Sequence, residues 1–185
     1  MAVIGKLIKC RSCKQSFEPI YRNGIIKSRL CLSCLMKKAK HKVKTDKAKE
    51  REKIKEKLKT HSEWLNDLQK VFNTYIRLRD KGKPCISCGA IYGKYTPTAG
   101  HYFSVGSSPN LRFNEDNVHG QCWYNCNKNK HGNIAEYTPN LIDKIGIDRY
   151  NELLNNRNKP LMMSIPEIRN LIFFYKDKIK VMRDD

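Results

Sequence analysis

The sequence predicts a mixed α+β chain in which two small zinc-binding modules are accompanied by flanking helices. The eight cysteines all fall into close pairs, and a basic run without proline or glycine joins the two cysteine groups. Apolar residues recur at three-to-four spacing on both sides of the second group, which is typical of helices that bury one face. We therefore divide the chain into a ribbon at 1–36, a basic helix or linker at 37–61, a core with its supporting helix at 62–157, and a C-terminal helix at 158–185.

The charge balance indicates a polyanionic partner. The 185 residues carry a formal net charge of +19, with 30% charged and 39% hydrophobic residues. Nucleic acid is the usual partner of such a chain, and an anionic membrane surface is the alternative. We expect no membrane contact, because no apolar run approaches the roughly 18 residues of a spanning helix and no signal peptide is evident. Without a secretion signal, we expect the cysteines to bind metal in a reducing cytoplasm.

The first cysteine group predicts a zinc ribbon at residues 1–36. Its ligands would be Cys10, Cys13, Cys31 and Cys34. Asn23-Gly24 suits a hairpin turn between the two pairs. The expected apolar cover of the hairpin comes from Phe17, Ile20, Tyr21, Ile25, Ile26 and Leu30. So small a lobe should draw much of its folding free energy from the metal. Its role is either purely structural or extends to DNA phosphates through Arg11, Lys14 and Lys27.

The segment that follows predicts a long, exposed, basic helix. Residues 37–59 contain twelve basic and four acidic side chains, a net charge of +8, and few apolar ones. Either this helix is a solvated linker, or it tracks the phosphates of DNA and releases their counterions. Across the chain, the side chains that we expect on DNA are Lys42, Lys44, Lys47, Lys49, Arg51, Lys53, Arg112 and Lys130.

Helices are expected on both sides of the second cysteine group. A helix at 62–81, capped by Ser62, would bury Trp64, Leu68, Val71, Phe72, Tyr75 and Ile76. Thr138-Pro139 should open a short helix, and Asp148 should cap a second one. Ser164 and Glu167 form a capping-box pattern for the last helix. Its apolar stripe is Ile168, Leu171, Ile172, Tyr175, Ile179 and Met182, which either packs on the core or forms a dimer interface.

The second cysteine group encloses a strand–loop–strand–helix pattern. The expected zinc ligands are Cys85, Cys88, Cys122 and Cys126, with Gly89 allowing the tight turn after the first pair. A strand over 95–102 would end at His101, and a second strand would cover 118–121. A short helix starting at Asn125 or Cys126 and stopping at Gly132 would place Asn127 opposite His101.

This placement suits metal-assisted hydrolysis of a phosphodiester. A neutral imidazole at His101 can act as a general base, and Asn127 offers an oxygen ligand for a divalent cation. His119 on the second strand and His131, four residues after Asn127, are further candidate ligands. The pattern therefore predicts a zinc-clamped ββα-metal (HNH or His-Me finger) core, with two structural Zn²⁺ ions and one catalytic Mg²⁺ or Mn²⁺.

Seven short motifs of the sequence resemble a known family as a set. They are Pro84–Gly89, Ala99–Tyr102, Leu111–Glu115, Asn117–His119, Gln121–Cys122, Cys126–Asn127 and Gly132–Asn133. The set resembles the NinG (Rap) family of lambdoid phages over nearly the whole chain, most strongly from about Ser62 to Asn156. The resemblance implies a recombination endonuclease that acts on branched DNA, including Holliday junctions and D-loops, in the cytoplasm of a bacterial host.

The central module also resembles phage endonuclease VII, which implies that His101 is the base and Asn127 a metal ligand. Two features depart from that pattern. Gly100 stands where an aspartate ligand is expected, so His119 or Glu115 would have to replace it. The second cysteine pair is CxxxC rather than CxxC, with Asn125 as the extra residue, so the start of the helix is expected to shift.

Two rival functions remain open at this point. One is a non-catalytic, zinc-containing DNA-binding protein, and the other is an HNH nuclease with broader specificity for duplex DNA. The expected partners are branched DNA, recombination proteins of phage or host, and a second copy of the chain, since resolving a junction takes two cuts.

Overall fold

The computed structural model describes residues 7–22 and 25–184, in two compact units that span Met1–Lys59 and Thr60–Asp185. Together they form a mixed α+β structure, as the sequence predicts. Within the described ranges, no helix is both long and apolar enough to cross a membrane.

The first unit contains two short hairpins followed by one long helix. Strand β1 (Ile8–Lys9) pairs antiparallel with β2 (Ser16–Phe17), and β3 (Tyr21–Arg22) pairs with β4 (Ile25–Ile26). The predicted Asn23-Gly24 turn lies outside the described residues. Ile20, Tyr21 and Ile25 are exposed, so the expected apolar cover of the hairpin is wrong for these three side chains. With so little buried apolar surface, this unit depends on its cysteines for a fixed shape.

The long helix α1 (Leu32–Lys57) confirms the predicted basic helix but has different bounds. Cys31 is its N-cap, so the helix starts five residues before the expected Lys37 and takes in Cys34. None of its residues is buried. The six basic side chains expected on DNA, Lys42, Lys44, Lys47, Lys49, Arg51 and Lys53, are all exposed.

The core of the second unit is a helix pair packed on a two-stranded sheet. Helix α2 (His61–Arg79) packs along the last helix of the chain, Ile165–Asp184, through Leu68, Phe72, Ile168 and Tyr175. The predicted stripes are confirmed, except that Val71 and Leu171 are only partly buried and Met182 is exposed. Thr60, rather than Ser62, caps α2, because Glu63 lies three residues after it and completes a capping box. The predicted capping box of Ser164 and Glu167 is confirmed.

The sheet consists of β5 (Pro97–His101) and β6 (Val118–Cys122) in antiparallel register, with His101 opposite Val118 and Gly100 opposite His119. A second apolar cluster, formed by Ile86, Leu111, Tyr137, Leu141 and Leu153, joins the cysteine turn to the helices that follow. These helices are α3 (Ile134–Ile145) and α4 (Ile147–Asn156), so the helix at Ile165–Asp184 is α5.

Helices α3 and α4 begin earlier than expected. Asn133 precedes α3 with a positive φ of 49°, and Pro139 lies inside the helix instead of opening it. Both Pro139 and Ala135, the residue one turn before it, are exposed, so water can satisfy the carbonyl that a proline N–H cannot reach. Gly146, rather than Asp148, precedes α4, which leaves Asp148 in the first turn.

A buried carboxylate joins α2 to β6 and α3. Asp80, only 4% exposed, accepts hydrogen bonds from the Gly120 amide at 2.8 Å and from Arg79 Nη2 at 2.8 Å. Lys83 and Lys144 lie 3.2 and 3.6 Å from its other oxygen. Burial by itself would raise the pKa of Asp80, but the hydrogen bonds and charge of Arg79, the Gly120 amide and Lys144 together hold that pKa well below its ordinary value.

This network predicts acid sensitivity of the second unit. Because the pKa of Asp80 is lower in the folded protein than in the unfolded chain, its stabilising contribution is present above about pH 4 and is lost as the pH falls further. Asp80→Asn should lower the free energy of unfolding by about 3 kcal/mol at pH 7 and flatten its dependence on pH below about pH 4. Urea unfolding between pH 2 and pH 7 measures both effects.

The matched control is Asp67→Asn within α2, which removes a more exposed ion pair with Lys70. It should cost less than about 1 kcal/mol and keep the pH profile of the parent protein. Equal destabilisation of the two variants would contradict the role given to Asp80.

Candidate functional site

The first four cysteines converge on one point. Their sulfur atoms all lie within 4.8 Å of one another, and the Cys13 and Cys31 sulfurs are 3.6 Å apart. That separation is far longer than a disulfide bond of about 2.05 Å. It matches the edge of a tetrahedron around zinc, roughly 3.8 Å for Zn–S bonds of about 2.3 Å. The Cys31 amide also donates to the Cys10 sulfur at 3.3 Å, which favours a thiolate there.

The second four cysteines repeat this geometry. The Cys88 and Cys122 sulfurs are 3.6 Å apart, and those of Cys85 and Cys126 are 3.9 Å apart. As in the first group, the third cysteine is the N-cap of a helix and donates its amide to the sulfur of the first, here at 3.2 Å. The turn after the first pair needs a positive φ in both groups, 62° at Lys14 and 67° at Gly89. Each predicted group can therefore hold one zinc ion.

The extra residue of the CxxxC pair is absorbed by a π-helix. This helix runs over Trp123–Lys128, so the expected start at Asn125 or Cys126 is wrong. The Asn129 amide donates to the Tyr124 carbonyl at 3.0 Å, five residues back, as a π-helical turn requires. The wider turn accommodates Asn125 while Cys126 stays buried at the metal site.

An open pocket of about 470 Å³ lies between the end of β5 and the segment that runs from Asn127 in the π-helix to Ile134. Its lining includes His101, Asn127 and His131, which the sequence predicts to act together. Ser104 and Ser107 of the connecting loop line it as well, and Gly132 and Ile134 complete the opposite wall. The pocket is therefore built from three elements that the cysteine group holds in place.

His101 has a defined tautomer in this pocket. Its Nε2 lies 3.1 Å from the carbonyl oxygen of Arg112. Because a carbonyl can only accept, Nε2 carries the proton and Nδ1 keeps its lone pair. Burial lowers the pKa of His101 below its ordinary value, and the nearby Arg112 charge acts in the same direction. The imidazole is therefore neutral near pH 7 and able to take up a proton at Nδ1.

Asn117 fixes the loop that supplies that carbonyl, a role that the sequence did not reveal. Its Nδ2 donates to the carbonyls of Phe103 and Leu111, each at 3.0 Å, and its Oδ1 accepts from the Phe103 amide at 2.8 Å. Its own carbonyl accepts from the Tyr102 amide at 2.8 Å. These bonds clamp both ends of the loop between the strands, which sets the distance between His101 and Arg112.

His119 is not brought to the pocket. It pairs with Gly100, one residue before His101, so the alternation of a strand turns the two histidines to opposite faces of the sheet. Its Nδ1 lies 3.0 Å from Arg79 Nη2, and its Nε2 lies 3.0 Å from the Asp116 carbonyl. Burial, followed by the charges of Lys144 and Arg79, lowers the pKa of His119 to about 3. A neutral ring with both nitrogens engaged and 2% exposure is part of the core.

Glu115, the other candidate to replace the aspartate ligand absent at Gly100, is also outside the pocket lining. Its carboxylate accepts from Tyr75 Oη at 2.7 Å and from Lys178 Nζ at 3.3 Å, which joins α2 to α5. Of the four candidate catalytic-metal ligands, the structure places Asn127 and His131 together and His119 and Glu115 elsewhere.

The glycine at position 100 is explained by a neighbouring side chain. A Cβ added there would overlap the side chain of Gln121, lying 2.8 Å from its Cδ. Gln121 is buried, and its Nε2 donates to Ser87 Oγ and to the Gly132 carbonyl, each at 2.6 Å. Gln121 thus joins the turn between Cys85 and Cys88 to the segment that carries His131. An aspartate at position 100 would compete with this side chain for space.

A DNA contact was expected of Arg112, but its side chain is engaged within the protein. Its guanidinium donates to Gln69 Oε1 at 2.6 Å and to Asn66 Oδ1 at 3.2 Å, both on α2. Lys130, beside His131, is exposed as expected.

The cysteine geometry predicts two zinc ions per chain. Elemental analysis of the purified, folded protein should give this ratio, and Cys122→Ser should reduce it to one while unfolding the second unit, because the metal joins three of its segments. Cys31→Ser should also leave one zinc but keep the second unit folded, as seen in the amide exchange of α2 and α5. A ratio of one or none in the parent protein would contradict the assignment.

Known proteins place the chain in a family. The family model for Bacteriophage Lambda NinG protein matches residues 3–185. "Protein ninG" of Escherichia phage 933W is 33% identical over 191 residues, covering 95% of this chain and 94% of that protein. "Protein ninG" of Escherichia phage lambda is 39% identical over 127 residues, covering 69% of this chain and 61% of its own length. No solved structure matches the chain. The resemblance seen in the sequence motifs is confirmed by these matches, and the chain belongs to the NinG family.

Proposed function

We propose that this chain is a cation-dependent DNA endonuclease of the ββα-metal (HNH) type, with His101 as its general base. The observation that carries the proposal is the neutral His101 ring, anchored through Nε2, in one pocket with Asn127 and His131. The end of β5, the loop that follows it and the segment that starts with Asn127 line that pocket, and a four-cysteine group joins the β5–β6 hairpin to the π-helix. This arrangement supplies both a proton acceptor and metal-ligating atoms on one open surface.

The reaction that these residues support is hydrolysis of a phosphodiester. Nδ1 of His101 takes a proton from a water molecule as the water oxygen forms a bond to phosphorus. The bond from phosphorus to one bridging sugar oxygen then breaks, and solvent protonates that oxygen. The Arg112 carbonyl holds the ring in the required tautomer and stabilises the imidazolium as it forms.

The pocket residues fit a divalent cation held by few protein ligands. Asn127 provides an amide oxygen and His131 an imidazole, whereas the described lining residues include no carboxylate. Such a neutral ligand set leaves several positions for water and phosphate oxygens, and its imidazole favours Mn²⁺ over Mg²⁺. When bound, the cation would stabilise the negative charge that develops on the phosphate and the leaving oxygen.

DNA is the substrate that the charge supports, and branched DNA is the class that the family resemblance suggests. The net charge of +19 and the exposed basic side chains of α1 favour a polyanion. We place the reaction in the cytoplasm of a bacterial host, with recombination proteins of phage or host as further partners and a second copy of the chain for paired cuts. The α1 side chains would hold DNA, and Lys130 would lie close to the phosphate that is cut.

The proposal predicts a specific loss of activity in His101→Ala. Cleavage of a four-way junction and of a linear duplex, in Mg²⁺ and in Mn²⁺, should fall by about 10²–10⁴-fold, while DNA affinity and zinc content stay unchanged. The control is His61→Ala. His61 bonds the Met163 carbonyl, and neither residue lines the pocket. This variant should cleave normally. Binding of DNA without cleavage by the parent protein would favour a zinc-containing DNA-binding protein instead.

The same assay separates the metal ligands from the base. Asn127→Ala and His131→Ala should raise the concentration of Mn²⁺ needed for half-maximal cleavage, with recovery at high metal. Equal cleavage of junction and duplex by the parent protein would indicate the broader HNH specificity.

The basic face of α1 predicts a salt effect. Replacing Lys42, Lys44, Lys47, Lys49, Arg51 and Lys53 by Gln should weaken binding to all DNA shapes alike. It should also reduce the slope of log affinity against log salt by about 0.9 for each phosphate that the helix no longer neutralises. The opposite control, Glu50→Gln with Glu52→Gln, should steepen that slope or leave it unchanged. If the lysine variant kept the parent slope, α1 would be only a spacer.

A further inference from the structure

We infer that Trp123 and Tyr124 form a stacking surface for an unpaired DNA base beside the pocket. Both side chains are large, apolar and exposed, at 48% and 62% of their full area. The chain's other tryptophan, Trp64, is buried in the core, as is usual for this residue. What distinguishes this exposed aromatic pair is that it precedes Asn127, a pocket residue, by three and four positions in the same π-helix.

Their position relative to the pocket is fixed by covalent and hydrogen-bonded structure. Trp123 and Tyr124 are the first two residues of the π-helix, four and three residues before Asn127, which lines the pocket. Cys122 and Cys126 bracket them and converge with the other cysteines of the second group. The Trp123 amide donates to the Thr96 carbonyl at 2.9 Å, which holds this turn to the strand that leads to His101. The backbone of the aromatic pair is thus tied both to the cysteine group and to the residue that precedes β5.

The charge around the two rings favours a nucleotide as the occupant. Lys128 Nζ lies 5.8 Å from the centre of the Tyr124 ring, and Lys130 is exposed two residues later. An aromatic face with a lysine beside it offers stacking to a base and a counter-charge to its phosphate, which is how proteins hold single-stranded nucleic acid. A second copy of this chain, itself strongly basic, would bring lysines against lysines at this surface.

The chemistry of stacking selects unpaired bases over a regular duplex. In B-DNA the face of each base is covered by its neighbours, and a protein reaches only base edges in the grooves. At a fork or another break in pairing, a base face becomes available. The surface would therefore contribute selectivity for branched DNA while His101 and the cation carry out the cut. The inference concerns binding, and it rests on the proposed function only for the consequence that the bound strand is then cleaved.

The first test is the fluorescence of Trp123 itself. In a Trp64→Phe background, Trp123 is the only tryptophan, and its emission reports directly on stacking. Titration with a mixed-sequence single strand or a forked duplex, without divalent cation, should quench it strongly. A linear duplex of the same sequence should quench it weakly. Unchanged emission at saturating single strand would overturn the inference.

The second test is affinity. Trp123→Ala and Tyr124→Ala should each weaken binding to the single strand and to the fork by roughly 5- to 150-fold, and binding to the linear duplex by less than about twofold. Trp123→Phe, which keeps an aromatic face, should recover most of the affinity. Phe173→Ala is the matched control, because Phe173 is an aromatic side chain that is 76% exposed on α5. It should leave all three affinities unchanged.

Two controls keep these results interpretable. Each variant must keep two zinc ions and the parent's thermal midpoint, and Tyr124→Ala carries the test if Trp123→Ala loses zinc. An equal reduction of affinity for duplex and fork would contradict the inference, and so would a concentration-dependent dimer that Trp123→Ala abolishes without any change in DNA binding. Because no cleavage is measured, a stacking surface can be established even if His101→Ala shows that the proposed hydrolysis is wrong, and the reverse also holds.

Discussion

The second unit depends on the convergence of Cys85, Cys88, Cys122 and Cys126. These side chains come from the turn after α2, the end of β6 and the π-helix, and they meet within 4.8 Å. The two strands between them form a sheet of only two strands, which is marginal on its own. One metal ion at this point would fix the hairpin, the helix that carries Asn127 and the exposed Trp123–Tyr124 pair at once. Buried hydrogen bonds also hold these segments together. Gln121 joins Ser87 to Gly132, and Asp80 joins α2 to Gly120.

The features that the sequence predicts well are those set by local spacing. Close cysteine pairs predict the two metal groups, and three-to-four periodicity predicts which faces of α2 and α5 are buried. Element starts were less accurate, because each depends on a hydrogen bond that the pattern does not specify. Thr60 caps α2 through Glu63, and the π-helix starts at Trp123 because its amides reach five residues back rather than four. The sequence shows the extra residue in CxxxC, but it does not show that a π-helical turn accommodates this residue.

In the candidate site, too, the residues set by local spacing could be predicted, whereas those that depend on register or on distant partners could not. His101, Asn127 and His131 lie close to the cysteine pairs in sequence, so their meeting in one pocket could be predicted. Whether His119 joined them depended on the strand register, and a shift of one residue reverses the face of every side chain. Asn117 and Gln121 lie in the family motifs, but the motifs do not specify their roles, which consist of bonds to backbone carbonyls of residues distant in sequence. Glu115, one of the two candidate replacements for the missing aspartate, bonds to Tyr75 on α2 and Lys178 on α5 instead, and both partners lie outside the motif.

The departure from the endonuclease VII pattern at Gly100 is matched by the side chain at position 121. The space that a side chain at position 100 would need is filled by Gln121, whose amide holds the segment carrying His131. Position 100 and position 121 are therefore coupled, so restoring an acid at Gly100 alone would displace Gln121 and loosen the wall opposite His101. The described lining residues include no carboxylate, so the pocket has little negative charge with which to attract a cation by itself. Under the proposed function, phosphate oxygens of the DNA would complete the metal site, which would couple cation binding to substrate binding.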